Sequence, residues 1–176
     1  AEPAAAAAPA PQPNPERNAY YGETHIHTSW SVDAWVMGNR ITGPADAYQY
    51  AQGQTIKHPM GFDIKIDTPL DFMGVTDHSE YVGVTKQANT PGSYVSTLPA
   101  AQPMIMKDPN SKEEQDRVFS YLLKLNSGAP VKALMDPKIA ATVWKENVQI
   151  ADEQNKPGKF TAFCSYEWTS MPENRN

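Results

Sequence analysis

The arrangement of apolar and polar residues along the chain predicts three β-strands and one hairpin. Leu70–Thr76 and Phe160–Tyr166 are apolar runs of strand length, and Tyr20–Thr28 also has the composition of a strand. Thr55–Ile66 is divided by the turn residues Pro59–Gly61, which predicts a short hairpin. Strand-forming segments are therefore spread along the chain instead of being clustered in one part of it.

Helices are predicted where a capping pattern is followed by apolar residues at helical spacing. The first begins after Gly43, the second at Ser111 and the third at Asp136. Their apolar stripes, which we expect to face the core, are Ala45, Tyr48 and Ala51; Val118, Leu122 and Leu125; and Ile139, Ala140, Val143, Trp144 and Ala151.

The order strand, helix, strand, helices, strand favours an α/β fold with parallel strands and crossover helices. Tyr81–Asn110 interrupts this order, and its many Pro, Gly, Ser and Thr residues predict a long irregular insertion. The single cysteine, Cys164, lies in the last predicted strand, so we expect a buried and unreactive thiol.

Length and charge narrow the class of protein. The 176 residues allow one domain with a hydrophobic core. The net charge of -5 argues against a nucleic-acid partner or binding to anionic membranes. No apolar run approaches the roughly 20 residues that a membrane span needs.

Residues Ala1–Asn18 are rich in Ala and Pro and contain almost no large apolar side chain. Such a segment cannot bury enough surface to offset its ordering entropy, which predicts a flexible tether before a folded domain at 19–176. The sequence starts with Ala1 instead of Met, which indicates either that a signal peptide has been removed or that the sequence is an excerpt. We therefore expect a periplasmic or secreted protein.

Two of the four histidines stand two residues apart in the first predicted strand. Alternate residues of a strand point to the same side, so the rings of His25 and His27 should face one way. Two neutral imidazoles at that spacing can bind one divalent ion. Two solvent-facing histidines on an edge strand would give the same pattern.

The other two predicted strands also end in residues that can bind a metal. Leu70–Thr76 runs into Asp77 and His78, and Phe160–Tyr166 runs into Glu167. The carboxyl ends of buried parallel strands are where α/β folds place their active sites. We therefore expect His78 and Glu167 to join the two histidines of the first strand.

Several acidic residues leave alternatives open. Asp33 is either a further ligand or the cap of a helix or turn. Asp77 is either a ligand or the group that fixes the tautomer of His78, and we take Asp77 and Glu167 as the candidate catalytic residues. Glu23 and Glu80 are secondary candidates that fit equally well as exposed carboxylates.

Taken together, these motifs resemble the first three motifs of the PHP (polymerase and histidinol phosphatase) superfamily. The matching residues are His25-x-His27, Asp33, Thr76-Asp77-His78 and the strand-ending Glu167. More narrowly, the segments around them look like an exported PHP-like family of unknown function. The resemblance covers roughly Asn18 to Asn176.

The resemblance implies a distorted (β/α)7 TIM-like barrel that holds two or three divalent ions, with zinc, manganese and iron all used. It implies that His25, His27 and Glu167 bind one ion, that Glu167 bridges to a second, and that Asp33 and His78 help to bind another. The superfamily uses further histidines, and no histidine follows His78 here. We therefore expect the N-terminal part of a barrel that the remainder of the same polypeptide completes.

The function predicted from these observations is metal-dependent hydrolysis of a small-molecule ester, a phosphate ester in the first instance. Paired divalent ions lower the pKa of a bound water and stabilise charge on phosphoryl oxygens. Hydrolysis of another ester, such as a sulfate, would use the same site. A non-catalytic metal-binding module is the alternative from a different class of protein.

Overall fold

In the described residues, four short strands lie in the first half of the sequence, and the two longest helices and the last strand lie in the second half. The computed structural model describes residues 18–108, 110–127 and 131–170, so nearly all of the predicted tether lies outside the described residues. In chain order the elements are β1 (Gly22–Ile26), α1 (Val32–Val36), α2 (Pro44–Ala51), β2 (Ile56–Lys57), β3 (Asp63–Ile64), β4 (Phe72–Val75), α3 (Val84–Ala88), α4 (Lys112–Ser127), α5 (Pro137–Gln154) and β5 (Thr161–Cys164), with 3₁₀ turns at Val95–Thr97, Pro99–Met104 and Lys132–Met135.

The three predicted strands pair into one parallel sheet with β4 in the centre. Gly22 of β1 lies opposite Phe72, and Cys164 of β5 lies opposite Val75. A side chain at position 22 would overlap the Phe72 carbonyl oxygen and ring, so glycine allows β1 to approach β4 there. The predicted α/β architecture with parallel strands is therefore confirmed.

The sheet is open in the described part of the chain. β1 and β5 each pair with β4 on one side only, which leaves them as the two edges of a three-stranded sheet. The structure therefore does not show the TIM-like barrel of which this chain was expected to form the N-terminal part. The predicted hairpin is present separately, because β2 and β3 form a two-stranded antiparallel sheet of their own.

Two hydrophobic clusters hold the helices in place. In the first, α2 and α5 pack against the sheet, and Tyr48, Ala51, Met73, Val75, Ala151 and Phe160 are buried together. The second lies under α1, α3 and α4 and includes Val32, Val84, Val118, Leu122 and Met104. The second cluster supports the chain around Asp33, and the first supports the ends of β4 and β5.

The segment predicted as an irregular insertion has more structure than its composition indicated. It contains α3 and two of the 3₁₀ turns, and it buries Val84, Ala88, Val95, Ala101 and Met104. These side chains form much of the second hydrophobic cluster. The segment therefore belongs to the core of the molecule and is not only a surface loop.

Three residues that were predicted to lie in the core, Ala140, Trp144 and Cys164, are exposed instead. Trp144 of α5 is 40% exposed, and its ring contacts that of Tyr166 at a centroid distance of 5.7 Å. Cys164 is exposed because it lies on β5, an edge strand of the sheet. The prediction of a buried thiol was wrong, although partial burial still raises the pKa of the Cys164 thiol and so disfavours its thiolate.

Candidate metal centre

The histidines and carboxylates predicted from the strand ends meet at one end of the parallel sheet. His25 is in β1 and His27 follows its last residue, while His78 and Glu167 each stand three residues beyond the end of β4 and β5. His78 and Glu167 pair as an isolated parallel bridge, which extends the sheet by one step past the named strands. The parallel register therefore brings together residues that are 140 positions apart, as in the pair His27 and Glu167.

Glu167 joins the two histidines of the first strand. Its Oε2 atom lies 3.1 Å from His25 Nε2 and 2.6 Å from His27 Nε2. His25 is largely exposed, with 72% of its side chain accessible, whereas the accessible fraction of the His27 side chain is 17%. These three side chains form one group whose ligand atoms lie within 4.8 Å of one another.

A second group of three shares His27 with the first. Asp33 Oδ2 lies 2.8 Å from His27 Nδ1 and 3.6 Å from His78 Nε2. The rings of His27 and His78 are 4.7 Å apart at their centroids and nearly perpendicular. We call the five residues His25, His27, Asp33, His78 and Glu167 the candidate metal centre.

The start of α1 fixes the position of Asp33. Its Oδ1 atom accepts hydrogen bonds from the Ser31 hydroxyl and from the Ala34 backbone N–H, the latter at 2.8 Å or less. Ser31 Oγ also accepts from the His78 backbone N–H at 3.2 Å. The N-cap position of α1 belongs to Ser31, so Asp33 is not the cap; it lies in the first helical turn and directs Oδ2 toward both histidines.

Two residues outside the predicted set contact His78. The Thr169 hydroxyl lies 3.2 Å from His78 Nδ1, and Glu80 Oε2 lies 4.0 Å from the same nitrogen. Glu80 Oε1 accepts from the Thr169 backbone N–H at 3.1 Å, while its Oε2 is buried without a hydrogen-bond partner among the described residues. Glu80 was only a secondary candidate, and no role was predicted for Thr169.

Asp77 does not take the role expected for it. The two carboxylate oxygens of Asp77 accept hydrogen bonds from the backbone N–H and the hydroxyl of Thr28, the latter at 2.7 Å. Asp77 is only 5% exposed. Asp77 is adjacent to His78 in sequence, and consecutive residues of an extended chain point to opposite sides. Asp77 therefore connects the end of β1 to the end of β4. The Thr169 hydroxyl, and not Asp77, lies beside His78 Nδ1, where a group that fixes the His78 tautomer would act.

The candidate metal centre stabilises positive charge. Burial alone would lower the pKa of His27, but the hydrogen bonds and negative charges of Asp33 and Glu167 raise it above its usual value. Burial would likewise raise the pKa of Asp33, yet the bonds from Ser31, His27 and the Ala34 N–H hold it below its usual range. An imidazole that is easily protonated between two carboxylates marks a place where a cation is favourable.

The donor set fits a divalent metal ion. Three imidazoles and two carboxylates are the ligand types that zinc, manganese and iron accept in proteins. Each three-residue group already holds its ligand atoms within 4.8 Å of one another. These histidine and carboxylate groups could therefore hold a metal ion, as the sequence analysis predicted, whereas the identity and number of the ions stay predictions.

Comparison with known proteins changes the family assignment. No curated protein and no solved structure matches the chain significantly. One family model matches residues 14–176, and it describes a protein of unknown function, DUF3604, so the assignment to the PHP superfamily was wrong. Short motifs of His and acidic residues arise wherever strand ends build a metal site, which is why they misled the assignment. The match spans nearly the whole sequence, and the chain belongs to the DUF3604 family.

Proposed function

We propose that this protein is a metal-dependent hydrolase that cleaves phosphate esters with metal-activated water. The observation that carries the proposal is the convergence of three histidines and two carboxylates at the carboxyl ends of three parallel strands. This is the position at which α/β folds build their active sites. Asp77 has no part in the proposal, because Thr28 occupies both of its oxygens.

The two ring nitrogens of His27 divide the ligands into two sets. A neutral imidazole carries its proton on one of its two nitrogens, so His27 can offer only the other nitrogen to an ion. With its proton on Nδ1, His27 donates to Asp33 and leaves Nε2 for an ion held together with His25 and Glu167. His78 and the remaining lone pairs of Asp33 would then hold a second ion.

Bound divalent ions supply a water of lowered pKa and stabilise negative charge on phosphoryl oxygens. The residues of this chain position the reactants. Asp33 keeps the His27 ring in a single orientation, and Thr169 does the same for His78 through Nδ1. Glu167 faces His25 and His27 through Oε2, while its Oε1 is 3.8 Å from His78 Nδ1, so it lies between the two sets.

The charge of the ligand set favours an anionic substrate. Only two of the five ligands are carboxylates, and the three imidazoles are neutral when they bind a metal. Two divalent ions would therefore leave the site with net positive charge. A phosphate ester gains more from such a site than a neutral ester does, which is why we place phosphate esters first.

The experiment compares the wild type with the double variant His25→Ala/His27→Ala. The protein is loaded with manganese or zinc, its metal content is measured, and its turnover of a generic aryl phosphate is followed. We expect the double variant to lose both bound metal and turnover. The control is His58→Ala, because His58 lies in the β2–β3 hairpin, where its ring stacks on Phe62.

Each alternative predicts its own result in the same experiment. A protein that binds metal but cleaves sulfate esters and not phosphate esters would be a hydrolase of another class. Bound metal without turnover of any ester would indicate a metal-binding module. Full activity in the double variant would exclude the candidate metal centre altogether.

We also propose that the three-stranded sheet is a portion of a larger TIM-like (β/α) barrel. Parallel strands, crossover helices and ligands at the carboxyl ends support this proposal. A crystal structure of the protein encoded by the whole gene tests it, since further parallel strands should pair with the free edge of β1 or β5.

A further inference from the structure

A cavity of about 160 Å³ opens beside the candidate metal centre. One side of it is formed by Asp33, His78 and Thr169, so it begins where the second set of ligands ends. A substrate whose ester bond lies at these ligands would extend part of its structure into this cavity. We call it the side cavity.

The other residues that line the side cavity are apolar, and we call them its apolar wall. It consists of Val32 of α1 and of Phe119, Leu122 and Leu123 of α4. Leu122 belongs to the buried face of α4, but Phe119 is 42% exposed and Leu123 is 51% exposed. Both residues leave large apolar side chains in contact with water beside a group of ligands, which is a common feature of ligand-binding sites.

We propose that the side cavity binds the apolar organic group of the substrate, so that the preferred substrates are phosphate esters of an aryl or short branched alkyl alcohol. This proposal rests on the proposed function and extends it to the substrate class. The lining supports it, because Asp33 and His78 offer ligands for the phosphoryl end and the remaining lining is dominated by the apolar residues Val32, Phe119, Leu122 and Leu123. A sugar or another polyhydroxy group would leave its hydroxyls without partners against that wall.

The size of the side cavity agrees with this occupant. An engineered apolar cavity of about 150 Å³ is large enough to bind benzene. The side cavity, at about 160 Å³, therefore accommodates one six-membered ring and little more. The Phe119 ring can pack against the edge or the offset face of an aryl group, which adds attraction beyond the buried area.

The test uses two phosphonates that resist hydrolysis and differ only in their organic group. Zinc-loaded protein is titrated with phenylphosphonate and with methylphosphonate, and the ratio of the two dissociation constants is measured. We expect phenylphosphonate to bind about tenfold more tightly, which corresponds to roughly 60 Å² of additional buried apolar surface. Binding is measured instead of turnover, so the result does not depend on catalytic competence.

Two variants change the apolar wall in opposite ways. Phe119→Ala removes the ring that faces the aryl group, and Leu123→Trp fills the side cavity. Because both residues are partly exposed, both variants should fold, and thermal melting checks this. In each variant we expect the preference for phenylphosphonate to fall about tenfold, to a ratio near one.

The matched control is Phe62→Ala, which removes an exposed phenyl ring from the β2–β3 hairpin. Its phosphonate ratio should equal that of the wild type. An unchanged ratio in both wall variants, or a wild type without preference, overturns the substrate class and leaves the proposed function standing. Failure of the wild type to bind zinc or either phosphonate overturns the proposed function, and the substrate class with it.

Discussion

Asp33 illustrates how much of the candidate metal centre depends on one side chain. Its Oδ1 atom is held by Ser31 and by the Ala34 N–H, so Oδ2 has a fixed direction. That oxygen contacts His27 and approaches His78, one from each three-residue group. Loss of its charge should therefore affect both groups at once.

We expect Asp33→Asn to weaken zinc binding about 10- to 100-fold, the usual effect of removing a group that orients or completes a metal site. The amide keeps the size of the carboxylate but loses its charge and one acceptor oxygen. Competition with a chromophoric chelator measures the zinc affinity. Asp63→Asn is the control, because Asp63 is an acidic residue of β3 that pairs with Lys57. An affinity within twofold of the wild type in Asp33→Asn would show that Asp33 serves only the helix start.

Neighbouring residues explain which parts of the candidate metal centre could be predicted. Sequence analysis found His25, His27, His78 and Glu167 because residues at the carboxyl ends of parallel strands lie at the same edge of a sheet. Whether Asp77 or His78 faces the centre depends on the backbone direction after β4, which no spacing in the sequence reveals. Thr169 and Ser31 were missed for a related reason, since a hydroxyl has a role here only through the tertiary contact that it makes.

At the level of elements, α2 is attached to the sheet through the hydroxyl of Tyr48. This side chain is completely buried, and its hydroxyl donates to the Phe163 carbonyl of β5 at 2.7 Å. The same oxygen accepts from the Val75 N–H of β4 at 3.4 Å. Burial raises the pKa of Tyr48 to about 12, because the phenolate would lose hydration inside the protein.

The raised pKa of Tyr48 makes the stability of the protein fall in alkaline solution. The unfolded chain ionises this phenol near pH 10.0 and the folded chain near pH 12, so the folded state binds more protons between these values. The stabilisation is complete below about pH 10 and is lost as the pH rises to about 12. Tyr48→Phe should reduce this alkaline loss by about 2 kcal/mol, and urea unfolding across this range measures it.

At neutral pH the same variant should be about 1 kcal/mol less stable than the wild type, because it loses the 2.7 Å hydrogen bond from the Tyr48 hydroxyl to the Phe163 carbonyl. Tyr94→Phe provides the matched control, since the Tyr94 ring is 57% exposed. It should leave the alkaline loss as it is in the wild type. An identical alkaline loss in Tyr48→Phe would contradict the assignment to this phenol.

The helices were easier to predict than the short elements. The third predicted helix begins where expected, with Asp136 Oδ1 accepting from the Lys138 N–H at 2.9 Å, because capping is a local interaction. The five residues of α3 are too few to show helical periodicity, and their burial depends on packing against distant parts of the chain. Trp144 and Cys164 show the converse, because an apolar stripe or strand does not reveal whether another element covers it.

At the scale of the whole molecule, the candidate metal centre connects the two ends of the described chain. β1 and β5 are both edge strands, and neither pairs with the other. Contacts from Glu167 to His25 and His27 link the ends of these two strands across β4. A bound ion would strengthen this link and add to the stability of the fold.

None of the helices in the described segments combines the length and apolar character needed to cross a bilayer.

We therefore expect zinc to raise the midpoint of thermal unfolding. An ion present at a hundred times its dissociation constant stabilises the folded state by about 2.7 kcal/mol. For a chain of this size that corresponds to roughly 5 to 10 °C, measured by calorimetry with zinc and with excess chelator. The double variant His25→Ala/His27→Ala should melt at one temperature under both conditions. A zinc-dependent shift in that variant would place the binding elsewhere on the protein.

The distance along the chain between the ligands also has a consequence for biosynthesis. A ribosome that has translated as far as His78 has produced all three histidines of the candidate metal centre, but Glu167 is added only much later. Until then the imidazoles have Asp33 as their one acidic companion from the set. Metal capture by the candidate metal centre would thereby be coupled to the arrival of β5, and a nascent or truncated chain lacking β5 should release a bound cation far more readily than a chain that contains it.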